Sequence, residues 1–422
     1  MGPSEPTDEI AFDPHDPTFV ERGVPFDELA RIRAECPVYR TPGGAWYLSR
    51  YADVEAALKD VDTFRAELGP ITGIPEGVLS IPEDQHYLSE IPEPRHGQIR
   101  RLFNAGLATH RVKGIEPTIR GECDRLVDDM LALDVADLHD GYAAAIPAFG
   151  MATIMGLDRG AIEEFMRWSS DGTLMTRPAT PGVEPGGPAS HQFFLERIAE
   201  QRALPRPSSH VFEVLLGAEV EGRPLTEREI VTQLHFMIQA GVHTTRAFLT
   251  HLVNRLVQEP GVFAALQHDR ELVARFLEES LRHDAPVQRT TRLCTHDASI
   301  GGVDVQEGEW VEMGIGSANR DEDLYADPEA FRLDRPDPRR HLAFGAGSHV
   351  CPGATLARLE GQVAVEVLLD RLAELRPVEG AAYPPLPGSL GHLPVPARLV
   401  PRGASPGRAT EAETALPGPV EV

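Results

Sequence analysis

Apolar residues recur at three- and four-residue spacing through most of the chain, and short β-branched or alternating runs interrupt them in two regions. Residues 26–36 and 51–59 read as amphipathic helices, with a strand over 45–48 between them. Residues 69–94 are rich in Pro, Gly and acidic side chains and read as a long loop of the kind that covers binding sites. A helix opens at Arg95. Helical spacing dominates again over 109–203, broken by a connector at 178–188. Beyond Pro286, residues 290–294 and 298–305 read as short strands around Gly301-Gly302. The pattern predicts a mainly α fold with small β-sheets, in one domain over 1–400. A Pro-, Gly-, Ala- and Glu-rich tail over 401–422 is predicted to lack fixed structure.

The longest helix is predicted over 226–257. Thr226-Glu227-Arg228-Glu229 forms a capping box, with Leu225 and Ile230 placed as a hydrophobic staple, and Glu259-Pro260-Gly261 ends the run. About 31 residues at 1.5 Å each give roughly 45 Å, so this helix must cross the core. Its middle, Ala240-Gly241-Val242-His243-Thr244-Thr245, departs from good helix composition. A helical glycine costs up to ~1 kcal/mol relative to alanine, and paired threonines lower propensity because their hydroxyls compete for backbone carbonyls. The segment predicts either a ligand pressed against the helix or close helix packing at Gly241.

Composition narrows the function classes. The chain has 422 residues, 41% of them hydrophobic, and a formal net charge of −25. That charge disfavours nucleic acid and anionic membranes as partners. Cys36, Cys123, Cys294 and Cys351 are scattered without a Cys-x-x-Cys pair, which argues against zinc and a disulfide framework and fits a reducing compartment. The acidic, proline-broken start is neither signal peptide nor anchor, and the apolar run 141–157 is interrupted by Pro147 and glycines. A soluble cytoplasmic protein is expected.

The most specific chemistry lies near the end, in Phe344-Gly345-Ala346-Gly347-Ser348-His349-Val350-Cys351-Pro352-Gly353. Glycines permit tight turns and close approach to a flat ligand. A cysteine just ahead of a helix faces free N–H groups and the positive end of the dipole, which favour thiolate. The pattern Phe-Gly-x-Gly-x-His-x-Cys-x-Gly resembles the haem-binding loop of the cytochromes P450, in which a cysteine thiolate ligates the iron. Two further motifs occur in the order of that family: Ala240 to Thr245 resembles its oxygen-binding segment, and Glu279-Ser280-Leu281-Arg282 its Glu-x-x-Arg helix. The resemblance covers 16–402.

The resemblance implies the cytochrome P450 fold, with haem b between the long helix and the helix after Cys351. By the same resemblance Cys351 is the axial ligand. Phe344, Gly345, Gly347, Gly353, Ala240 and Gly241 would lie against the haem, and His96, Arg100, Arg292 and His341 would neutralise its propionates. Gly241 leaves room for dioxygen, and Thr244 orders the water that delivers protons. The usual acid of this motif is replaced by His243, and an imidazole can also relay protons near neutral pH. Glu279, Arg282 and Arg335 form a structural triad. The implied reaction is monooxygenation of a hydrophobic small molecule, such as a terpenoid, steroid or polyketide, by O2. Leu79, Ile81, Tyr87, Leu88, Met237, Phe248 and Val287 are the expected pocket residues. Because no reductase segment follows Cys351, electrons are expected from a separate ferredoxin and its reductase, docking on a basic patch of Arg100, Arg101, Arg339, Arg340 and Arg358. The protein is expected to be a monomer. Two rival readings stay open: a peroxygenase driven by H2O2, and a catalytically silent haem-binding scaffold.

Overall fold

The computed structural model describes residues 10–66, 83–158, 160–162, 164, 187–385 and 394–403. The helices that frame the site are α1 (Phe26–Glu35), α2 (Tyr51–Lys59), α3 (Arg95–Gly106), α4 (Glu116–Leu131), α5 (Ala145–Ile154), α6 (Gly187–Ala203), α7 (Glu227–Gln258), α8 (Leu272–His283) and α9 (Ala354–Arg371). The strands of the two larger sheets are β1 (Val38–Arg40), β2 (Trp46–Leu48), β3 (Phe64–Arg65), β4 (Ala136–Asp137), β5 (Thr290–Cys294), β6 (Trp310–Met313), β7 (Leu372–Pro377) and β8 (Pro396–Pro401), and two further hairpins pair Glu219–Val220 with Arg223–Pro224 and Ala298–Ile300 with Val303–Val305.

The long helix α7 forms where its caps direct. Thr226 Oγ1 accepts from the Glu229 N–H at 3.2 Å, and the Thr226 N–H donates to Glu229 Oε2 at 2.8 Å. Nearly every side of α7 is buried, because α5, α6, α8 and α9 all pack on it. This is the core-crossing helix that its length requires. Its first half carries the cavity-facing residues and its second half, from Ala247 to Val257, is core.

One five-stranded sheet, in order β1-β2-β6-β5-β3, carries the other wall. Strand β5 pairs antiparallel with β6, with Arg292 opposite Val311, and β6 pairs parallel with β2. A second sheet, β7-β8-β4, joins segments that are far apart in sequence, with Pro396 opposite Asp137. The expected Gly301-Gly302 turn is present, and both residues have positive φ.

Differences from the sequence expectation are local. The loop over 69–94 contains short turns at Glu83–Gln85 and Leu88–Glu90, while 67–82 lie outside the described residues. Pro188 belongs to the first turn of α6 and not to the connector, since proline fits there without losing a helical bond. Residues 165–186 and 404–422 lie outside the described residues, and so does most of the expected tail. Among the described residues, no helix is long and apolar enough to cross a membrane.

Helix α9 packs against α4, α5 and α7. Glu360 on this helix is 1% exposed, and its Oε1 sits where a Cβ on Gly150 would come within 2.0 Å. Burial alone raises its carboxyl well above the usual range.

Candidate active site

The loop before Cys351 is closed by its own backbone. The Cys351 N–H donates to the Phe344 carbonyl at 2.8 Å. Gly347 has a φ of +70°, and a Cβ there would lie 2.8 Å from the Leu58 carbonyl, so only glycine fits this turn against α2. Gly353, the residue before α9, would carry its Cβ 3.8 Å from Cys351 Sγ. Burial pushes the Cys351 thiol up, and this is opposed by the N–H groups of Gly353 and Ala354 and by the charges of Arg100 and Arg358. The helix start by itself does not overcome burial. A cation bonded to the sulfur would.

Two neighbouring acids on α8 hold the segments that flank this loop. Glu279 accepts from Arg282 Nε and Nη2 at 2.9 and 2.8 Å and from Arg335 Nε at 3.0 Å, so the expected triad is assembled. The remaining guanidinium donors go to backbone carbonyls, among them Asn319, Pro328, Ala326 and Ala330. Burial opposes ionisation of Glu279, but the Arg282 hydrogen bond and charge, with Arg335, hold its carboxyl below the usual range. The triad therefore pins the irregular chain over 319–335 to α8, which is a structural task. Glu278 faces the other way. It takes hydrogen bonds from His341 Nε2 at 3.0 Å and Arg358 Nε at 2.7 Å, which hold its carboxyl at about 2 against the effect of burial. Arg358 also stacks over the Phe344 ring at 4.5 Å.

A cavity of about 400 Å³ opens beside Cys351, between α7, α3 and β5. Ala240, Gly241 and Met237 face it from α7, His96 and Arg100 from α3, Arg292 from β5, and Cys351 and Gly353 from the loop. A smaller space of about 180 Å³ adjoins it, lined by Phe344, Gly345, Arg292, Val287 and Cys351. Leu88 lines the main cavity as expected. Gly241 is close-packed as well as cavity-facing, because a Cβ there would stand 2.2 Å from Met151 Cε. Thr244 is half-buried and is not among the residues lining this cavity. Its hydroxyl donates back to the Ala240 carbonyl at 2.6 Å.

Several expected positions are corrected. His341 does not face the cavity, because Glu278 holds it against α8. In the cysteine-loop region it is His349 that faces the cavity together with His96, and their rings stack with centroids 4.0 Å apart. His349 stands in the cysteine-loop pattern two residues before Cys351, so its signal is present in the motif. Phe248 is core, its ring occupying the space beside Gly361 of α9. Tyr87 lies behind the wall, with its hydroxyl on His235 Nδ1 at 3.0 Å and its ring stacked on Phe236, which does line the cavity. Val287 belongs to the smaller space. Leu79 and Ile81 lie outside the described residues. Phe103, Leu107, Met151 and Phe236 are lining residues that helical periodicity alone does not separate from core.

The basic patch is smaller than expected. Arg100 turns inward to the cavity and donates to the Val350 carbonyl. Arg358 is committed to Glu278, and Arg339 reaches the same carboxylate at 3.4 Å while remaining 75% exposed. Arg101 and Arg340 are exposed, as is the apolar side chain of Val350.

The electrostatics of the cavity call for an anion. Arg292 is buried and pairs with no carboxylate among the described residues, donating to Thr290 Oγ1 and the Thr291 carbonyl. Burial pulls it down to about 10. Burial, with His96, Arg292 and Arg100 close by, pushes the His349 imidazole down to about 3. Nε of Arg292 and Nε2 of His96 are buried and unpartnered among the described residues. A flat ligand with carboxylates at this edge and a metal at Cys351 Sγ would satisfy all of these groups, so the residues fit a haem.

Comparison with known proteins decides the family. The cytochrome P450 family model matches residues 189–393. "Cytochrome P450 107B1" of Saccharopolyspora erythraea is 33% identical over 367 residues, covering 83% of this chain and 88% of that protein. The chain belongs to the cytochrome P450 family. "Polyketide biosynthesis cytochrome P450 PksS" of Bacillus subtilis is 28% identical over 382 residues, covering 87% of this chain and 93% of its own. Among solved structures, cytochrome P450 CYP109Q5 from Chondromyces apiculatus superposes with a TM-score of 0.81 at 30% identity, covering 94% of this chain and 100% of the other. CYP109E1 from Bacillus megaterium, in complex with testosterone, gives 0.76 at 27% identity, covering 89% of this chain and 99% of that one. The cytochrome P450 fold and the class of haem-thiolate monooxygenase expected from the sequence are thereby established.

Proposed function

We propose that this cytochrome P450 binds haem b and oxidises a hydrophobic small molecule of the steroid, terpenoid or polyketide class, taking electrons from a separate ferredoxin and its reductase. One observation carries the reading. Cys351 faces the same cavity as Gly241 and as Arg100, Arg292, His96 and His349, and two of those side chains hold buried nitrogens without a partner among the described residues. When bound, the haem supplies the activation of dioxygen and the transfer of one oxygen atom to substrate.

This chain's residues would divide the remaining tasks. Cys351 gives the thiolate. Arg100, Arg292, His96 and His349 take the propionates, and the unpartnered Nε of Arg292 leaves that guanidinium a donor to offer a carboxylate. Leu88, Phe103, Leu107, Met151, Phe236 and Met237 exclude water and hold an apolar ligand. Thr244 orders water for proton delivery, by resemblance to its family. The wall's apolar character, the polyketide-biosynthesis relative and the testosterone-bound neighbour support the substrate class. For the redox partner, Arg101 follows the cavity-facing Arg100 on α3, Arg340 precedes the cysteine loop by four residues, and both are exposed. On a chain of net charge −25, such a local positive patch suits an acidic ferredoxin.

The test is spectral. The reduced protein under carbon monoxide should show the red-shifted Soret band of thiolate ligation, and Cys351→Ser should lose it. Retention of the band in Cys351→Ser would reject the assignment. Titration of the ferric protein with steroids, terpenoids and polyketides should shift the Soret band for one class; no shift with any of them would reject the substrate reading. A second reading, a peroxygenase, is favoured by His243 in place of an acid, and product formed from H2O2 without ferredoxin would support it.

A further inference from the structure

The position that carries an acid in the family's threonine segment holds His243, and its neighbours give the imidazole a fixed form. Arg246, three residues further along α7, donates from Nη2 to His243 Nδ1 at 2.9 Å. A guanidinium has only donors and keeps its protons at any physiological pH. Nδ1 must therefore present its lone pair, and the ring proton sits on Nε2.

The surroundings hold Arg246 where it is. Burial lowers its guanidinium, and the carboxylate of Asp140 opposes that effect. Asp140 belongs to a π-helical turn, His139–Ala143, that packs directly on α7. From the same turn His139 Nδ1 lies 2.8 Å from Thr250 Oγ1, and the Thr250 hydroxyl donates to the Arg246 carbonyl at 2.8 Å. Arg246 is thus braced at its backbone by His139 through Thr250, and balanced at its head by Asp140.

We propose that Arg246 is a positioning residue that locks His243 as the uncharged tautomer protonated at Nε2. A histidine relay accepts a proton at one nitrogen and releases one from the other. Here Nδ1 is covered by a donor that has no proton to give up. Residue 243 then contributes a fixed N–H donor one residue from Thr244, and the imidazole does not conduct protons from nitrogen to nitrogen. This goes beyond the proposed function, and the tautomer assignment itself does not depend on it.

The test is nuclear magnetic resonance of histidine-selectively 15N-labelled, haem-loaded protein in its diamagnetic ferrous carbon monoxide form. Loss of one resonance set in His243→Gln assigns the ring. Between about pH 6 and 8, the range where an unconstrained imidazole titrates, the parent should show Nε2 protonated and Nδ1 bare. Arg246→Leu should make the ring titrate within that range with both tautomers populated, and Arg246→Lys, which keeps a cationic donor, should restore the parent pattern. An Nδ1-protonated or doubly protonated ring in the parent would overturn the proposal, as would an unchanged His243 spectrum in Arg246→Leu. If Arg246→Leu does not fold, the parent spectrum alone decides. The carbon monoxide band of the same samples reports haem-thiolate ligation separately, so failure of that reading and failure of this one are distinguishable.

Discussion

Glu360 offers a quantitative test of the core beside the haem-proximal helix. It is fully buried, its Oε1 has no hydrogen-bond partner among the described residues, and burial raises its carboxyl well above 4.5. The folded protein therefore holds a proton that the unfolded chain releases above pH 4.5, and stability must fall as pH rises, up to the folded-state value. Each pH unit between the unfolded and the folded value costs about 1.4 kcal/mol, because the fold keeps a proton that the unfolded chain has lost. Glu360→Gln keeps the shape and has no proton to lose. Its stability relative to the parent should be lowest at and below about pH 4.5 and should rise with pH up to the parent's folded-state value, with a limiting slope of about 1.4 kcal/mol per unit. Urea unfolding of the haem-loaded proteins at several pH values, followed by circular dichroism, measures this directly. A stability difference that is the same at every pH would refute the reasoning, because it would mean that the carboxylate is accommodated in the fold. Gly150→Ala is the steric counterpart: its Cβ falls on Glu360 Oε1, and it should destabilise at all pH values.

The same geometry sets other outcomes. Glu279→Gln leaves Arg282 and Arg335 buried without their shared carboxylate and should cost about 3–5 kcal/mol, read as a lower urea midpoint and poor haem incorporation; wild-type stability would contradict the triad's role. Arg292→Ala removes a charge-assisted partner worth about 1.5–3 kcal/mol and should speed haem transfer to apomyoglobin by about 10- to 100-fold, whereas His341→Ala should act on stability more than on haem retention. Equal haem-loss rates for Arg292→Ala and parent would reject the propionate assignment. Charge reversal at Arg101 or Arg340 should slow reduction by an acidic ferredoxin at low salt, and unchanged kinetics would remove the docking proposal.

The elements legible from sequence are those with local causes. Tyr51–Lys59 and Thr290–Cys294 have the expected bounds, and Thr226 and Glu229 cap α7 as their spacing dictates. The cysteine loop is legible because glycine, histidine and cysteine occur there in a fixed register. What is not legible depends on partners distant in sequence. His341 and His349 lie in one stretch, and only Glu278, on another helix, decides which turns away from the cavity. Phe248 and Met237 look alike on a helix buried on nearly every side, and the glycine at 361 determines that Phe248 packs on α9. Arg246 gives no signal at all, since its meaning comes from the ring three residues before it and a turn far earlier in the chain.

Adjacent glutamates on α8 grip different partners, one the two flanks of the sulfur-bearing loop through His341 and Arg358 and one the chain that leads into it through Arg335, and neither lines the cavity. The seat of the reactive centre and the mould for its cargo are thus mechanically separate. Side chains such as Leu88, Leu107 or Phe236 carry no polar obligation toward the seat, so a laboratory seeking new specificity can recarve that face while the cysteine keeps its footing.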